Sequence, residues 1–134
     1  MRVVYDTSVL ATILSRRNMI FKLQLNVSNN RVSLVTSLFI INELEKVLFT
    51  KFNLTKQGAK SRSRLLARVS EIVQPNNIDK VSRDENDDYI LATALTGHAN
   101  YIVSLDKDLL ILKVYRGIPI VTPTEFDRIL SKTE

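Results

Sequence analysis

Short apolar runs separated by longer segments of helical periodicity are the feature that most constrains the fold of this 134-residue chain. The runs at residues 3–5, 32–35, 101–103 and 118–121 each have the length of one buried strand. Between them, apolar residues recur every three or four positions, as in helices that bury one face. This alternation predicts an α/β fold: a three-layer α/β/α sandwich around a mostly parallel sheet of about four to five strands.

Polar capping residues and a proline indicate where the helices begin and end. We predict helix starts at Thr7 or Ser8, at Thr36 or Ser37, at Asp84 and at Thr122. The last of these has a capping box, completed by Glu125 with Pro123 at the first helical position. A basic amphipathic helix is predicted over residues 60–72, and Pro75 would end it.

The length of the chain suits one domain spanning residues 1–134. It has no cysteine and one histidine, which excludes disulfides, thiolate zinc sites and cysteine nucleophiles. Any metal must therefore bind oxygen ligands, which favours Mg²⁺, Mn²⁺ or Ca²⁺. No apolar run approaches the roughly 20 residues needed to cross a bilayer, so we expect no membrane association. The lack of cysteine fits a reducing cytoplasm.

The net charge of +5 is distributed unevenly along the chain. Seven basic residues and no acid lie between positions 46 and 68: Lys46, Lys51, Lys56, Lys60, Arg62, Arg64 and Arg68. A basic flank can attract a phosphate backbone. A solvated helix face is the more common explanation of such a run. The run therefore indicates a nucleic-acid partner only if an acidic site lies nearby.

Two acids directly follow predicted strands. Asp6 comes after the first strand, and Asp106 lies just past the third. Aspartate often caps a helix, so either residue alone has an ordinary structural explanation. In parallel sheets, however, ligand sites form beyond the carboxyl ends of the strands, where both acids are expected.

Glu43 and Asp87 are the helical candidates for the same site. A helical wheel places Glu43 and Glu45 at opposite borders of one apolar face, and periodicity does not choose between them. Asp87 precedes Ile90 and Leu91 by three and four residues, which directs it toward the sheet, and Asp88 remains an alternative. Carboxylates gathered together raise one another's pKa, and a divalent cation would remove that cost.

Four segments, taken in order along nearly the whole chain, resemble motifs of the PIN-domain family. They are Val3-Val4-Tyr5-Asp6-Thr7-Ser8-Val9-Leu10, Ser37 with Glu43-Leu44, the run from Asp84 through Leu-Ala-Thr-Ala, and Asn100 to Leu110. The closing segment from Ile118 to Phe126 is similar to a subgroup of VapC-like toxins of toxin–antitoxin pairs. Ser8 and Leu105 depart from the family, since asparagine and a small or polar residue are frequent at those positions.

The resemblance implies an endoribonuclease with an acidic pocket that holds Mg²⁺ or Mn²⁺. It selects Glu43 over Glu45 and Asp87 over Asp88. Asp6, Asp87 and Asp106 would be metal ligands, and Glu43 would bind a second metal or orient the attacking water. Asp108 and Ser104 would support those ligands. It also implies an RNA substrate, an antitoxin protein as partner and a homodimer.

Other classes of protein fit the acids less well. A phosphoryl-accepting receiver domain would usually have paired acids after the first strand and a lysine after the last, and Asp6-Thr7 and Thr122 do not supply them. A phosphatase with an Asp-x-Asp motif is disfavoured by Ser8. A non-catalytic PIN-like module that binds RNA or protein is the remaining alternative.

Overall fold

The computed structural model describes residues 1–133 and contains a six-stranded sheet within them. The strands are β1 (Arg2–Tyr5), β2 (Ser33–Thr36), β3 (Ser70–Ile72), β4 (Tyr101–Val103), β5 (Val114–Tyr115) and β6 (Ile118–Val121). The helices are α1 (Thr7–Leu14), α2 (Arg17–Ser28), α3 (Leu38–Lys51), α4 (Lys56–Val69), α5 (Glu85–Thr96), α6 (Lys107–Leu110) and α7 (Pro123–Lys132). No helix within the described part of the chain is long and apolar enough to cross a membrane.

The strands lie in the order β3-β2-β1-β4-β6-β5, and only β5 runs antiparallel to its neighbour. This arrangement confirms the predicted α/β/α fold with a mostly parallel sheet. It has more strands than the four to five we expected. The two extra strands, β3 and β5, are short and lie at the two edges of the sheet.

The two central strands, β1 and β4, form the middle of the core. Tyr5 pairs with Val103, and the side chains of Val3, Val4 and Ile102 are completely buried. From β1 the chain builds outward through β2 and β3 on one side, and it later returns to add β4 and β6 on the other. The strand order therefore reverses between β1 and β4, the place where open parallel sheets bind ligands.

The segment around α4 differs from the sequence prediction. A helix was expected over residues 60–72, but α4 begins earlier, where the Thr55 hydroxyl accepts a hydrogen bond from the Gly58 amide. It also ends earlier, because residues Ser70–Ile72 pair with β2 as a strand. Pro75 therefore does not end this helix. The apolar spacing had indicated a helix, and pairing with a distant strand overrides that local signal.

Close packing on the sheet fixes the position of α5. A Cβ atom added to Gly97, at the end of this helix, would lie only 2.4 Å from a methyl group of Val35 in β2. A larger residue would push the helix away from the sheet. The glycine thus lets α5 lie directly on β1, β2 and β4, and this position determines where the acids in its first turn point.

Candidate metal centre

Asp6 connects the end of β1 to the start of α1. One carboxylate oxygen accepts hydrogen bonds from the Val9 amide at 2.9 Å and the Ser8 hydroxyl at 3.1 Å. The other oxygen accepts one from the Ser104 hydroxyl. Asp6, rather than Thr7 or Ser8 as predicted, is the cap of α1. Three donors therefore hold this buried carboxylate in one orientation.

Ser104 links Asp6 to Asp106. It follows β4 directly, is completely buried, and donates to Asp6 while its oxygen accepts the Asp106 amide at 2.9 Å. Asp106 in turn caps α6, because one of its carboxylate oxygens accepts the Asp108 amide at 2.8 Å. Since Tyr5 and Val103 are paired across β1 and β4, the two acids meet at the same edge of the sheet.

Two acids from the start of α5 complete a cluster with Asp106. Carboxylate oxygens of Asp84, Asp87 and Asp106 all lie within 4.8 Å of one another. Asp84 is exposed and also caps α5, because its carboxylate accepts a hydrogen bond from the Asn86 amide at 3.0 Å. Asp87 is buried. The cluster therefore opens toward solvent at Asp84 and toward the sheet at Asp87.

The neighbouring acids Asp87 and Asp88 differ in what their side chains contact. One oxygen of Asp88 accepts the backbone amides of Val81 at 3.0 Å and Ser82 at 2.7 Å. Asp88 thereby anchors the loop before α5. Asp87 has one long contact, from the Ser82 hydroxyl at 3.4 Å, and belongs to the acidic cluster. Of the two residues that the helical wheel left open, Asp87 is the one in the cluster.

The electrostatic environment disfavours negative charge on Asp87. Burial raises its pKa to about 7, and the negative charges of Asp106, Asp84 and Asp6 add to this effect, while the Ser82 hydrogen bond opposes it. Burial also raises the pKa of Asp6, against the lowering effect of hydrogen bonds from Ser104, Val9 and Ser8. A cation among these oxygens would offset both the burial and the repulsion.

Glu43 is not a member of the three-acid cluster. It is half-buried on α3, and its side chain makes no hydrogen bond or ion pair with another described residue. Glu45, at the other border of the same face, accepts a hydrogen bond from the Ser63 hydroxyl of α4 at 2.9 Å. Glu45 is thus occupied in helix packing, and a role for Glu43 in the site stays a prediction.

Asp84 and Arg83 belong to the site region but were not among the predicted site residues. The sequence identified Asp84 only as a helix cap, although its position three residues before Asp87 on the same helical turn could have indicated a shared ligand set. Arg83 pairs with Asp108 through two contacts, at 3.0 and 3.2 Å. Nothing in the sequence pointed to that pair, because Arg83 lies in a loop.

An apolar cavity of about 300 Å³ lies beside the acidic edge of the sheet. Its lining includes Tyr5 and Val9, which flank Asp6, and Leu105, which precedes Asp106. Leu105 is the residue that departs from the family pattern, and it is 57% exposed. The departure therefore adds an apolar side chain to the rim of a cavity that begins next to the candidate centre.

The donor set of the cluster fits a divalent cation that prefers oxygen. Asp84, Asp87 and Asp106 each offer a carboxylate oxygen, and neither a histidine nor a cysteine joins them within the described residues. Oxygen-only ligands suit Mg²⁺ and Mn²⁺ better than zinc or copper. The raised pKa of Asp87 is the second sign that the cluster is unfavourable without a positive charge.

Comparisons with known proteins agree with this architecture. The family model of the PIN domain matches residues 2–108. The structure resembles PAE2754 from Pyrobaculum aerophilum, with a TM-score of 0.65 and 14% identity, over 99% of this chain and 91% of that one. It also resembles VapBC2 from Rickettsia felis, solved bound to a DNA fragment from their promoter, with a TM-score of 0.61 and 14% identity, over 90% of this chain and 97% of that one. No curated protein gives a significant match.

At 14% identity these two structures support the fold alone, whereas the sequence match extends over most of the chain and includes the segments that carry Asp6, Glu43, Asp87 and Asp106. The topology, the acidic edge between the central strands and the sequence match lead to the same family. The chain belongs to the PIN-domain family.

Proposed function

We propose that this protein is an Mg²⁺- or Mn²⁺-dependent endoribonuclease. The observation that carries the proposal is the convergence of Asp84, Asp87 and Asp106 at the carboxyl edge of the sheet, with their oxygens within 4.8 Å of one another. Burial and mutual repulsion make such a cluster unfavourable unless a cation binds there. Membership of the PIN-domain family supports nuclease chemistry at this position.

Each of the acids has its own proposed role at the site. Asp87 and Asp106 would hold the ion, and Asp84, which the sequence did not suggest, would be the third ligand. Asp6 would either bind the ion directly or hold Asp106 in place through Ser104. When bound, the divalent ion would lower the pKa of a water molecule and stabilise charge on the phosphodiester. Glu43 would orient the attacking water.

We also infer a biological role from membership of the PIN-domain family. We propose that the protein is the toxin of a toxin–antitoxin pair, acts on RNA in the cytoplasm, forms a homodimer and is silenced by an antitoxin protein. The fold shared with VapBC2 supports the partner assignment. Co-purification with the product of the adjacent reading frame would test it, and the molar mass by light scattering would test the dimer.

Metal-dependent cleavage of RNA tests the catalytic proposal. We expect the wild-type protein to cut a 5′-labelled single-stranded RNA in Mn²⁺, and EDTA to stop the reaction. Asp106→Asn should abolish cleavage, whereas Asp127→Asn, which alters an exposed acid paired with Lys22, should leave it intact. Equal activity of wild type and Asp106→Asn would contradict the proposal. RNA binding without cleavage in any metal would favour the non-catalytic PIN-like module.

A further inference from the structure

The positive charge of this protein is concentrated in one part of the chain. Residues 46–68 contain seven Lys and Arg and no acid, so the rest of the chain carries a net charge of −2 despite the overall +5. Within that segment, Lys60, Arg64 and Arg68 lie four residues apart on α4, and all three are exposed. We call these three residues the basic stripe. Four-residue spacing on a helix places them on one face.

The basic stripe has no partner within the protein. No side chain of the three makes a hydrogen bond, an ion pair or a ring contact with another residue of the described chain. Some exposed cations elsewhere are paired with an acid: Lys22 with Asp127, Arg83 with Asp108, and Arg116 with Asp79. Even Lys56, on the same helix, lies over the ring of Phe49. The charge of the stripe is therefore fully available to a ligand.

This arrangement is unfavourable for the helix itself. Like charges four residues apart repel, and the stripe contains two such pairs. The first turn of α4 has no acid and begins with Lys56, which is also unfavourable next to the positive end of the helix dipole. The inward face carries the packing, through Ala59, Ser63 and Leu66. Folding therefore explains the inward face, and it explains Arg68, which lies in the last turn where the helix dipole favours a cation, but it leaves Lys60 and Arg64 unexplained.

The helix that carries the stripe packs on α3, which begins at the same edge of the sheet as the acids. α4 packs along α3 and is joined to it by the hydrogen bond between Ser63 and Glu45. α3 begins at the carboxyl end of β2, next to β1, whose end carries Asp6. The shallow surface along α4 is lined by the stripe together with Gln57, Ser61 and Ala67. The polar side chains of this surface can donate hydrogen bonds to phosphate oxygens. All of its residues lie on one continuous helix.

We propose that the basic stripe of α4 binds the phosphate backbone of the RNA substrate outside the catalytic centre. This inference rests on the proposed function. Repeated cations without internal partners suit a repeated anion, and they provide affinity without reading sequence. The stripe thus gives the chain a binding surface that is separate from the acids, which would themselves repel RNA.

Salt-dependent RNA binding tests the stripe. Lys60→Ala, Arg64→Ala and Arg68→Ala are combined in a protein that also carries Asp106→Asn, so that the RNA is not cut. A fluorescein-labelled single-stranded 20-mer is titrated at several salt concentrations. Compared with Asp106→Asn alone, we expect affinity at low salt to fall at least tenfold. The slope of log Kobs against log salt should fall by about 2, from three lost phosphate contacts on a single strand.

A control of matched charge keeps the test specific. Arg17→Ala, Arg128→Ala and Lys132→Ala remove the same charge from exposed positions on α2 and α7, and the salt slope should then change by less than half as much. Alanine favours the helix, so thermal melting should show the stripe variant folded. An equal loss in both triple variants would overturn the proposal, because net charge alone would then explain binding.

Two further outcomes separate this inference from the proposed function. If wild type cuts RNA in Mn²⁺ but the stripe variant binds RNA as tightly as its parent, the stripe proposal fails and the nuclease assignment stands. If wild type does not cut RNA and the stripe variant loses affinity, the stripe proposal survives and the catalytic proposal fails.

Discussion

Asp6 and Asp87 are both 5% exposed, yet the protein satisfies them very differently. Asp6 accepts hydrogen bonds from a backbone amide and from two hydroxyl groups. Asp87 has a single long contact from the Ser82 hydroxyl and faces other acids. One carboxylate is held by the fold, and the other is left without adequate internal partners.

The difference shows how the candidate centre is built. In the part formed by β1 and β4, hydrogen bonds of Ser104 connect Asp6 to the backbone of Asp106. The part formed by the start of α5 places Asp84 and Asp87 against Asp106 at an electrostatic cost. A cation would therefore change the electrostatic energy of Asp84 and Asp87 more than that of Asp6.

The largest expected effect is that of Asp87→Asn on catalysis. This change removes a proposed ligand while keeping the shape of the side chain, and cleavage should fall by about 100-fold or more, since the ion supplies several kcal/mol of stabilisation. Asp88→Asn is the matched control, because an amide oxygen can still accept the Val81 and Ser82 amides. Initial rates of RNA cleavage measure both. Loss of activity in Asp88→Asn with full activity in Asp87→Asn would reverse the assignment of the two acids.

Ser104→Ala should weaken metal binding by about tenfold, because it removes both the donor to Asp6 and the acceptor for the Asp106 amide. Calorimetric titration with Mn²⁺ measures the effect. Ser131→Ala, on exposed α7, is the control and should bind Mn²⁺ as wild type does. An unchanged Mn²⁺ affinity in Ser104→Ala would mean that the strand-end acids are held without this serine.

The stability of the metal-free protein should depend on pH through Asp87. Its pKa is about 7 in the folded state, against an ordinary value of 3.8 for an aspartate in the unfolded chain, so the folded protein retains the proton more strongly. The associated stability is present below pH 3.8 and is lost as the pH rises to about 7. Subtracting the unfolding free energy of Asp87→Asn from that of wild type across this range isolates the effect. If the difference in unfolding free energy does not vary with pH, ionisation of Asp87 does not destabilise the folded protein.

The smallest expected effect is that of Arg83→Ala. Its ion pair with Asp108 is largely exposed on the arginine side, and such pairs contribute little because solvent screens them. Mn²⁺ affinity should change by less than about threefold, in contrast with the Ser104 variant. A tenfold loss would show instead that this pair fixes the loop before α5 and the position of Asp84.

Much of the fold could be predicted from local patterns, because the central strands are continuous apolar runs and Thr122 and Asp84 are ordinary helix caps. The edge strands could not. Ser70–Ile72 forms a strand only because β2 lies beside it, and its apolar residue continues a helical spacing. The start of α4 was likewise not predicted, because it depends on the hydrogen bond that the Gly58 amide donates to the Thr55 hydroxyl.

For the site, the sequence identified the acids at the strand ends, and only the family resemblance, not the periodicity, chose Asp87 over Asp88. The helical wheel left Asp87 and Asp88 open, because the deciding contacts come from the loop amides of Val81 and Ser82. Asp84 was missed because its capping role already explained it. Its proximity to Asp106 depends on how α5 packs on the sheet, which no local pattern contains.

Mn²⁺ binding measured by electron paramagnetic resonance tests the central claim most directly. That claim is that carboxylates from α5 and from the end of β4 form one cation site. We expect saturable binding in the wild-type protein and in Asp88→Asn, and binding at least tenfold weaker in Asp87→Asn and in Asp106→Asn. Absence of saturable binding in the wild type, or equal affinity in Asp106→Asn, would contradict the account.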